Sequence, residues 1–362
     1  MDPRWAQLAN QLAVGTELQA GDMVSIFITD NSVFDAVDAF VAEVYRRGAL
    51  PQVINSDERF DRSAMEHAPD EFLAMAAPME AASMKWADVH VSFRGMTAPI
   101  EEQSDPERLA LQRKGKGIVS TLRWENTRWA LVRIPTPDWA ALINKDLNDL
   151  LDEFFSGCIA DWDEDRKPWE KVAAIVEAAG SLRMVADDTD LTLSHVGRKW
   201  ITFAGGNNFP DGEIASAPVD DSTEGYITFP ELFWFAGARV KNLRLDFEKG
   251  AVVKVTADEG QELVQKLVNT DEGAKRIGEV AIGMNGNIQT MTGDLLFDEK
   301  ILGTAHIALG RAYPICLGIN ESSLHWDIVK DLRRPDGYLY AGDKLLIDKG
   351  VPTALLLTGE ED

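Results

Sequence analysis

The sequence predicts an α/β fold in two parts: an N-terminal domain on an open, mostly parallel sheet and a C-terminal α+β domain that carries a metal site. Strand-like and helix-like segments alternate through the first 180 residues. After Gly180 the pattern changes to short alternating strands with turn residues between them and few helices. A chain of 362 residues also suits two cores, at roughly 100–200 residues each. The expected boundary lies between 180 and 190, giving domains 1–185 and 186–362.

Leu8, Leu12 and Leu18 mark a helix within residues 1–19, and Ala20-Gly21-Asp22 is a turn. Met23 to Ile28 reads as an apolar strand, and Asp30-Asn31-Ser32 offers N-cap chemistry. Val33, Val37, Phe40 and Val44 then share one helix face. Arg46-Arg47-Gly48 closes that helix with cations and a C-cap glycine, and Pro51 to Ile54 is the next strand. This strand–helix–strand unit begins an open parallel sheet. Residues 70–85 are expected to be helical, Ala87 to Phe93 a strand, 105–120 helical and Trp129 to Ile134 a strand. A long helical region over about 138–180 breaks near Lys167-Pro168.

In the second half, strands are expected at Met184–Ala186, Asp190–Ser194, Trp200–Phe203, Gly225–Phe229 and Leu243–Phe247. Glu248-Lys249-Gly250 is a hairpin turn into Val252–Val255. Helices are expected at roughly 258–269 and 298–312.

Composition excludes several functions. A net charge of −24 opposes binding to nucleic acid or to anionic membranes, both of which need concentrated Lys and Arg. Two cysteines, Cys158 and Cys316, make neither a disulfide framework nor a Cys-based zinc site and are expected to be reduced. No signal-like apolar stretch follows Met1, and no run of 18 apolar residues occurs, so the expectation is a cytoplasmic enzyme.

The chemistry concentrates between His306 and Asp327. In Leu324-His325-Trp326-Asp327-Ile328, strand alternation projects His325 and Asp327 together on one side. A helix over 298–312 would set His306 and Tyr313 two turns apart on one face, with Pro314 ending it. Glu213 sits in a Gly- and Pro-flanked loop. Glu279 lies among Ile277, Val280 and Ile282, where an unpaired carboxylate would be costly. Taken singly, each of these residues reads more simply as a surface, ion-paired or core group. Together, two histidines, several carboxylates and a tyrosine can bind a hard or borderline divalent metal through N and O. His67, His90 and His195 read as structural, His90 as a surface or half-buried strand residue. No His-Glu-x-x-His, Gly-x-Gly-x-x-Gly, Walker or Gly-x-Ser-x-Gly motif occurs in a suitable place.

In order, the chain holds Pro210-Asp211-Gly212-Glu213, Ala217-Pro218, Glu224-Gly225, Ile277-Gly278-Glu279, Leu296-Phe297-Asp298-Glu299-Lys300, His306-Ile307-Ala308-Leu309-Gly310 with Tyr313, and Ser323-Leu324-His325-Trp326-Asp327. These motifs resemble the M29 metallopeptidases, the thermophilic aminopeptidases T and S, over nearly the whole chain. The resemblance implies an aminopeptidase that removes N-terminal residues from peptides through a two-metal activated water. The implied ligands are Glu213, Glu279, His306, Tyr313, His325 and Asp327, for zinc, cobalt or magnesium. It also implies a homodimer and a substrate with a free N-terminus. Glu279 is the implied bridging carboxylate and Tyr313 the oxyanion donor; Glu224 and Glu299 are candidates for general base. Trp326 and Ile214-Ala215-Ser216 are positions where specificity is expected to be reshaped. Related proteins on this fold open hydroxypyridine rings with a single iron held by two His and one Asp. They carry a histidine in place of Glu279 and an apolar residue in place of Glu213, so the two glutamates here favour the hydrolase.

Overall fold

Five strands, all parallel, make the sheet of the first unit, in the order Leu50–Asn55, Met23–Ile28, Val89–Gly95, Arg128–Ile134 and Asn208–Phe209. The computed structural model describes residues 2–97, 105–235 and 238–360. It divides into two compact units: Met1–Ala160 with Gly205–Asp211, and Asp161–Ala204 with Gly212–Asp362. Val24, Ile26, Val89, Val91, Phe93, Ala130 and Val132 line one face of this sheet and are buried; the other face carries Phe27 and Leu131 with the buried polar Ser25, His90 and Ser92. The expected helix face is buried too: Val33 in a 3-10 turn and Val37, Phe40 and Val44 in the helix Phe34–Arg46. Asp30 caps the turn by accepting from the Ser32 amide at 2.7 Å.

The helical region expected over 138–180 is three helices, Pro137–Leu142, Leu147–Cys158 and Trp162–Ala179. The breaks fall where Asp146 and Asp161 cap the following helices, while Pro168 is accommodated inside the third. The third helix packs on the strands Ser181–Ala186, Ile201–Phe203 and Glu213–Ser216. The second unit therefore begins at Asp161, ahead of the expected 185/186 boundary, and residues 205–211 return to the first unit to add its fifth strand. The helix expected over 70–85 is likewise two pieces, Asp70–Leu73 and Pro78–Trp86.

The second unit holds an eight-stranded and a five-stranded sheet, both antiparallel. Lys249 and Gly250, at φ 49° and 78°, make the hairpin turn into Ala251–Thr256. The five-stranded sheet runs His325–Asp331, Thr304–Gly310, Ile277–Gly283, Glu213–Ser216 and Ile201–Phe203. It corrects two expectations. The helix expected over 298–312 is a one-turn helix, Leu295–Asp298, followed by the strand Thr304–Gly310. The loop expected at Glu213 is the strand Glu213–Ser216. Both strands are buried along their whole length, so burial leaves no simple contrast between faces, and a short apolar run of that kind fits helix and strand equally.

Register assigns the side chains. His306 pairs with Ala281 and Val329, Asp327 with Ala308, His325 with Gly310, and Glu213 with Gly283. One face therefore carries Glu213, Glu279, His306, His325 and Asp327, interleaved with Ala215, Ala281, Gly283, Ala308 and Gly310. The opposite face carries Ile214, Val280, Ile282, Ile307, Leu309, Trp326 and Ile328, all buried. Small residues leave room on the polar face, and large apolar ones anchor the sheet from behind. Trp326 packs on Phe235 at 4.7 Å between ring centroids and is part of that anchor.

A bulge separates Glu279 from the apolar Ile277. Ile277 pairs with Leu309, yet Glu279 pairs with Ala308, so Gly278 is an extra residue. Glu279 keeps the regular register of Ala281 and Gly283, and the bulge turns Ile277 onto the opposite, apolar face. A Cβ on Gly278 would collide with the Gly310 carbonyl oxygen and the Arg311 backbone. Gly278→Ala is therefore expected to destabilise the protein by about 2–4 kcal/mol, measured by chemical denaturation against wild type. An unchanged midpoint would show that the backbone yields there without cost.

Candidate metal centre

Strand alternation brings five of the six expected ligands onto one face, and the segment after the third strand supplies the sixth. Tyr313 follows the strand Thr304–Gly310 and precedes the short 3-10 turn Pro314–Cys316. It shares no helix face with His306. Its hydroxyl lies 3.1 Å from His325 Nε2.

The two carboxylate oxygens of Glu279 face different histidines: Oε1 is 3.9 Å from His306 Nε2, and Oε2 is 3.3 Å from His325 Nε2. Asp327 Oδ1 is 3.5 Å from His325 Nε2, and Glu213 Oε2 is 3.7 Å from His306 Nε2. Two sets of donors close enough to share a cation result: Glu279, His325 and Asp327, and Glu299, His306 and Asp327. Separations of 3.3–3.9 Å are long for charge-assisted hydrogen bonds. They suit donors that each reach a central ion at about 2.0–2.2 Å.

The second layer differs between the histidines. His325 Nδ1–H donates to the Arg311 carbonyl at 2.8 Å. A carbonyl only accepts, so the proton sits on Nδ1, and Nε2 is the atom left to ligate. His306 Nδ1 is buried with no hydrogen-bond partner among the described residues.

Electrostatics follow from burial against pairing. Burial works against charge on His306, but the facing Glu279 carboxylate and the other nearby acids push it up to about 9. Burial likewise opposes charge on His325, and Asp327 and Glu279 raise it well above the ordinary range. Burial would raise Glu279 and Asp327, but the facing imidazoles outweigh it and hold both carboxyls below the usual range. Glu299 goes the other way: burial drives it up to about 8 in spite of Lys300. Burial, reinforced by the surrounding carboxylates, pushes the Tyr313 phenol well above its ordinary range. Donors of this kind, protonated without metal and ligating with it, fit a divalent cation that takes the place of protons.

Glu299 and Lys300 are the parts that residue spacing did not bring forward as one unit. Both are buried, and Lys300 Nζ lies 2.6 Å from Glu213 Oε1 and 2.8 Å from Glu299 Oε1. The one-turn helix before them is pinned by Asp294, which accepts from the Phe297 amide, and by Asp298, which accepts from Thr292 and Gly293. The available signal was local: an acid and a lysine side by side before the apolar Ile301-Leu302. Glu224 does not join the cluster. It starts a strand of the other sheet, is exposed, and accepts from the Lys249 amide at 2.9 Å. Among the remaining histidines, His67 is exposed. His195 is buried and accepts through Nδ1 from Trp200 Nε1. His90 is buried, contrary to the surface or half-buried expectation, and its burial drives its pKa well below the ordinary value.

A family model described as thermophilic metalloprotease (M29) matches residues 3–350. Aminopeptidase T of Thermus thermophilus is 28% identical over 98% of this chain and 96% of its own length. Aminopeptidase 2 of Geobacillus stearothermophilus is 26% identical over 90% of each. The structure of wild-type AmpT from Thermus thermophilus superposes with a TM-score of 0.83 at 25% identity, covering 97% of this chain and 99% of that one. A 2,5-dihydroxypyridine dioxygenase from Pseudomonas putida KT2440 has a TM-score of 0.58 at 14% identity over 97% of each chain, a likeness of fold.

Metal binding should release protons at neutral pH, because His306 titrates near 9 and Glu299 near 8 in the metal-free cluster. Both hold protons below those values and lose them on ligation, so apparent affinity should rise as pH rises through about 8 to 9. Calorimetry in two buffers of different ionisation enthalpy measures this, and equal heats in both would exclude proton release.

Proposed function

The chain belongs to the thermophilic metalloprotease (M29) family, and on that premise we propose that it is a metal-dependent aminopeptidase acting on peptides with a free N-terminus. The observation that carries the reading is Glu279, whose two oxygens face His306 and His325 separately, so that one carboxylate would serve both histidine sides of the cluster. Glu213, Glu279, His306, His325 and Asp327, with Tyr313 beside His325, would hold two divalent ions, with zinc, cobalt and magnesium the candidates. When bound, such ions supply Lewis acidity and an activated water nucleophile.

The protein's own groups complete the reaction. The cluster is most open at Asp327, whose side chain is 27% exposed, while that of His306 is 1% exposed. Substrate therefore meets the His325–Asp327 side first. Tyr313 keeps its proton at neutral pH and can donate to the oxyanion that develops on the scissile carbonyl. Of the two carboxylates considered as general base, Glu299 stands inside the cluster and Glu224 outside it, so Glu299 takes that role. Ring opening by a single iron has no support in the site, since both glutamates that distinguish the hydrolase join the cluster. A dimeric, cytoplasmic enzyme is part of the same reading. The family resemblance supports the dimer, and two free, buried cysteines fit a reducing compartment. Among the described residues, no helix is long and apolar enough to cross a membrane.

His325→Ala should lose metal and hydrolysis of aminoacyl-p-nitroanilides together, read by metal analysis and initial rates; a variant that keeps both would remove His325 from the site. Tyr313→Phe should lower kcat about 10²-fold with the melting temperature unchanged. A wild-type rate in that variant would make the tyrosine a structural residue.

A further inference from the structure

We propose that Lys300 is a built-in cation that makes the two metal positions unequal. It weakens the position beside Glu299 and His306 relative to the one beside His325, with Glu279 and Asp327 facing both. The inference rests on the metallopeptidase reading above and extends it to how the site is loaded.

Lys300 is fully buried, and its ammonium bonds Glu213 Oε1 at 2.6 Å and Glu299 Oε1 at 2.8 Å. A buried ammonium is sustained only by close anionic partners, and both partners belong to the His306 side of the cluster. Glu213 turns its other oxygen, Oε2, toward His306 Nε2. The lysine thus draws on the same carboxylates that a cation beside His306 would use. Two effects follow. Charge repulsion within a few ångströms loosens that cation. In its absence, the ammonium keeps Glu213 and Glu299 paired, so the partly loaded protein carries no uncompensated acids there.

A second observation points the same way. His325 is oriented by a 2.8 Å hydrogen bond from Nδ1 to the Arg311 carbonyl, whereas His306 Nδ1 has no partner among the described residues. A ligand imidazole held by an outer hydrogen bond is the stronger ligand. The lysine and the unsupported imidazole therefore mark the same position as the weaker one. Lys300 itself is held in place, since its carbonyl accepts from the Asn285 amide at 2.9 Å. The functional consequence is a resident ion on the His325 side and an exchangeable ion on the His306 side, so activity should follow the free metal concentration.

The test titrates metal-free wild-type protein and Lys300→Met with Co²⁺ by calorimetry at one pH, and follows thermal unfolding at each loading. Wild type should show two steps, the weaker at least about tenfold looser. In Lys300→Met the weaker step should tighten by about tenfold or more, with the tighter step nearly unchanged. A role confined to holding ligands in place would loosen binding instead. Metal-free Lys300→Met should melt below metal-free wild type, and saturating Co²⁺ should close the gap. Two equal steps in wild type, or a weaker step that is unchanged or loosened in the variant, overturns the proposal. If Lys300→Met does not fold, His306→Ala and His325→Ala decide: the first must delete the weaker step and the second the tighter one, and the reverse overturns the assignment. Wild-type protein that binds no Co²⁺ at all overturns the metallopeptidase reading itself, a result distinct from two equal steps.

Discussion

Glu279 has to share a face with His306 and His325, and the register of its strand puts it there. The bulge at Gly278 lets Ile277 turn to the apolar face while Glu279, in register with Ala281 and Gly283, faces two imidazoles. The rest of the site depends on that register. His306 and Glu213 come from the two neighbouring strands, and His325 and Asp327 from the strand beyond that of His306. Only Gly fits at the bulge, because the chain of the adjacent strand passes against it.

The same sheet answers a second demand, which is to keep several ionisable groups out of water. Buried carboxylates and imidazoles cost free energy unless they neutralise one another or hold a cation. Here acids and bases alternate in space: Lys300 between Glu213 and Glu299, and each histidine between two carboxylates. The opposed pKa displacements, imidazoles up and Glu279 and Asp327 down, express that pairing. Glu299 stands apart, raised to about 8 because burial outweighs its one close ammonium. A cluster so arranged is stable in itself and still has donors to offer a metal.

Much of this was legible in the chain. The parallel strands of the first unit and the helix carrying Val37, Phe40 and Val44 follow from periodicity that the structure repeats closely. His325 and Asp327 were readable as a same-face pair, because alternation in Leu324-His325-Trp326-Asp327-Ile328 is strict. His306 was found but placed on a helix, since Ala305 to Ala312 is a short apolar run that fits either period. Lys300 escaped notice because its meaning lies in two partners, one of them 87 positions upstream, as the numbers of Glu213 and Lys300 show.

What the sequence determined by itself was the inventory and the local periods: strand alternation in the N-terminal half, a histidine two residues from an aspartate on one face, and ordered motifs that mark the family. The tertiary structure alone decided which carboxylates meet which histidine, that Glu299 belongs inside the cluster and Glu224 outside it, and that a lysine sits among the ligands. The physical reason is that register and bulges set side-chain direction across strands. A shift of one residue moves a whole strand from one face to the other, and no pattern within a single strand encodes its partner's alignment.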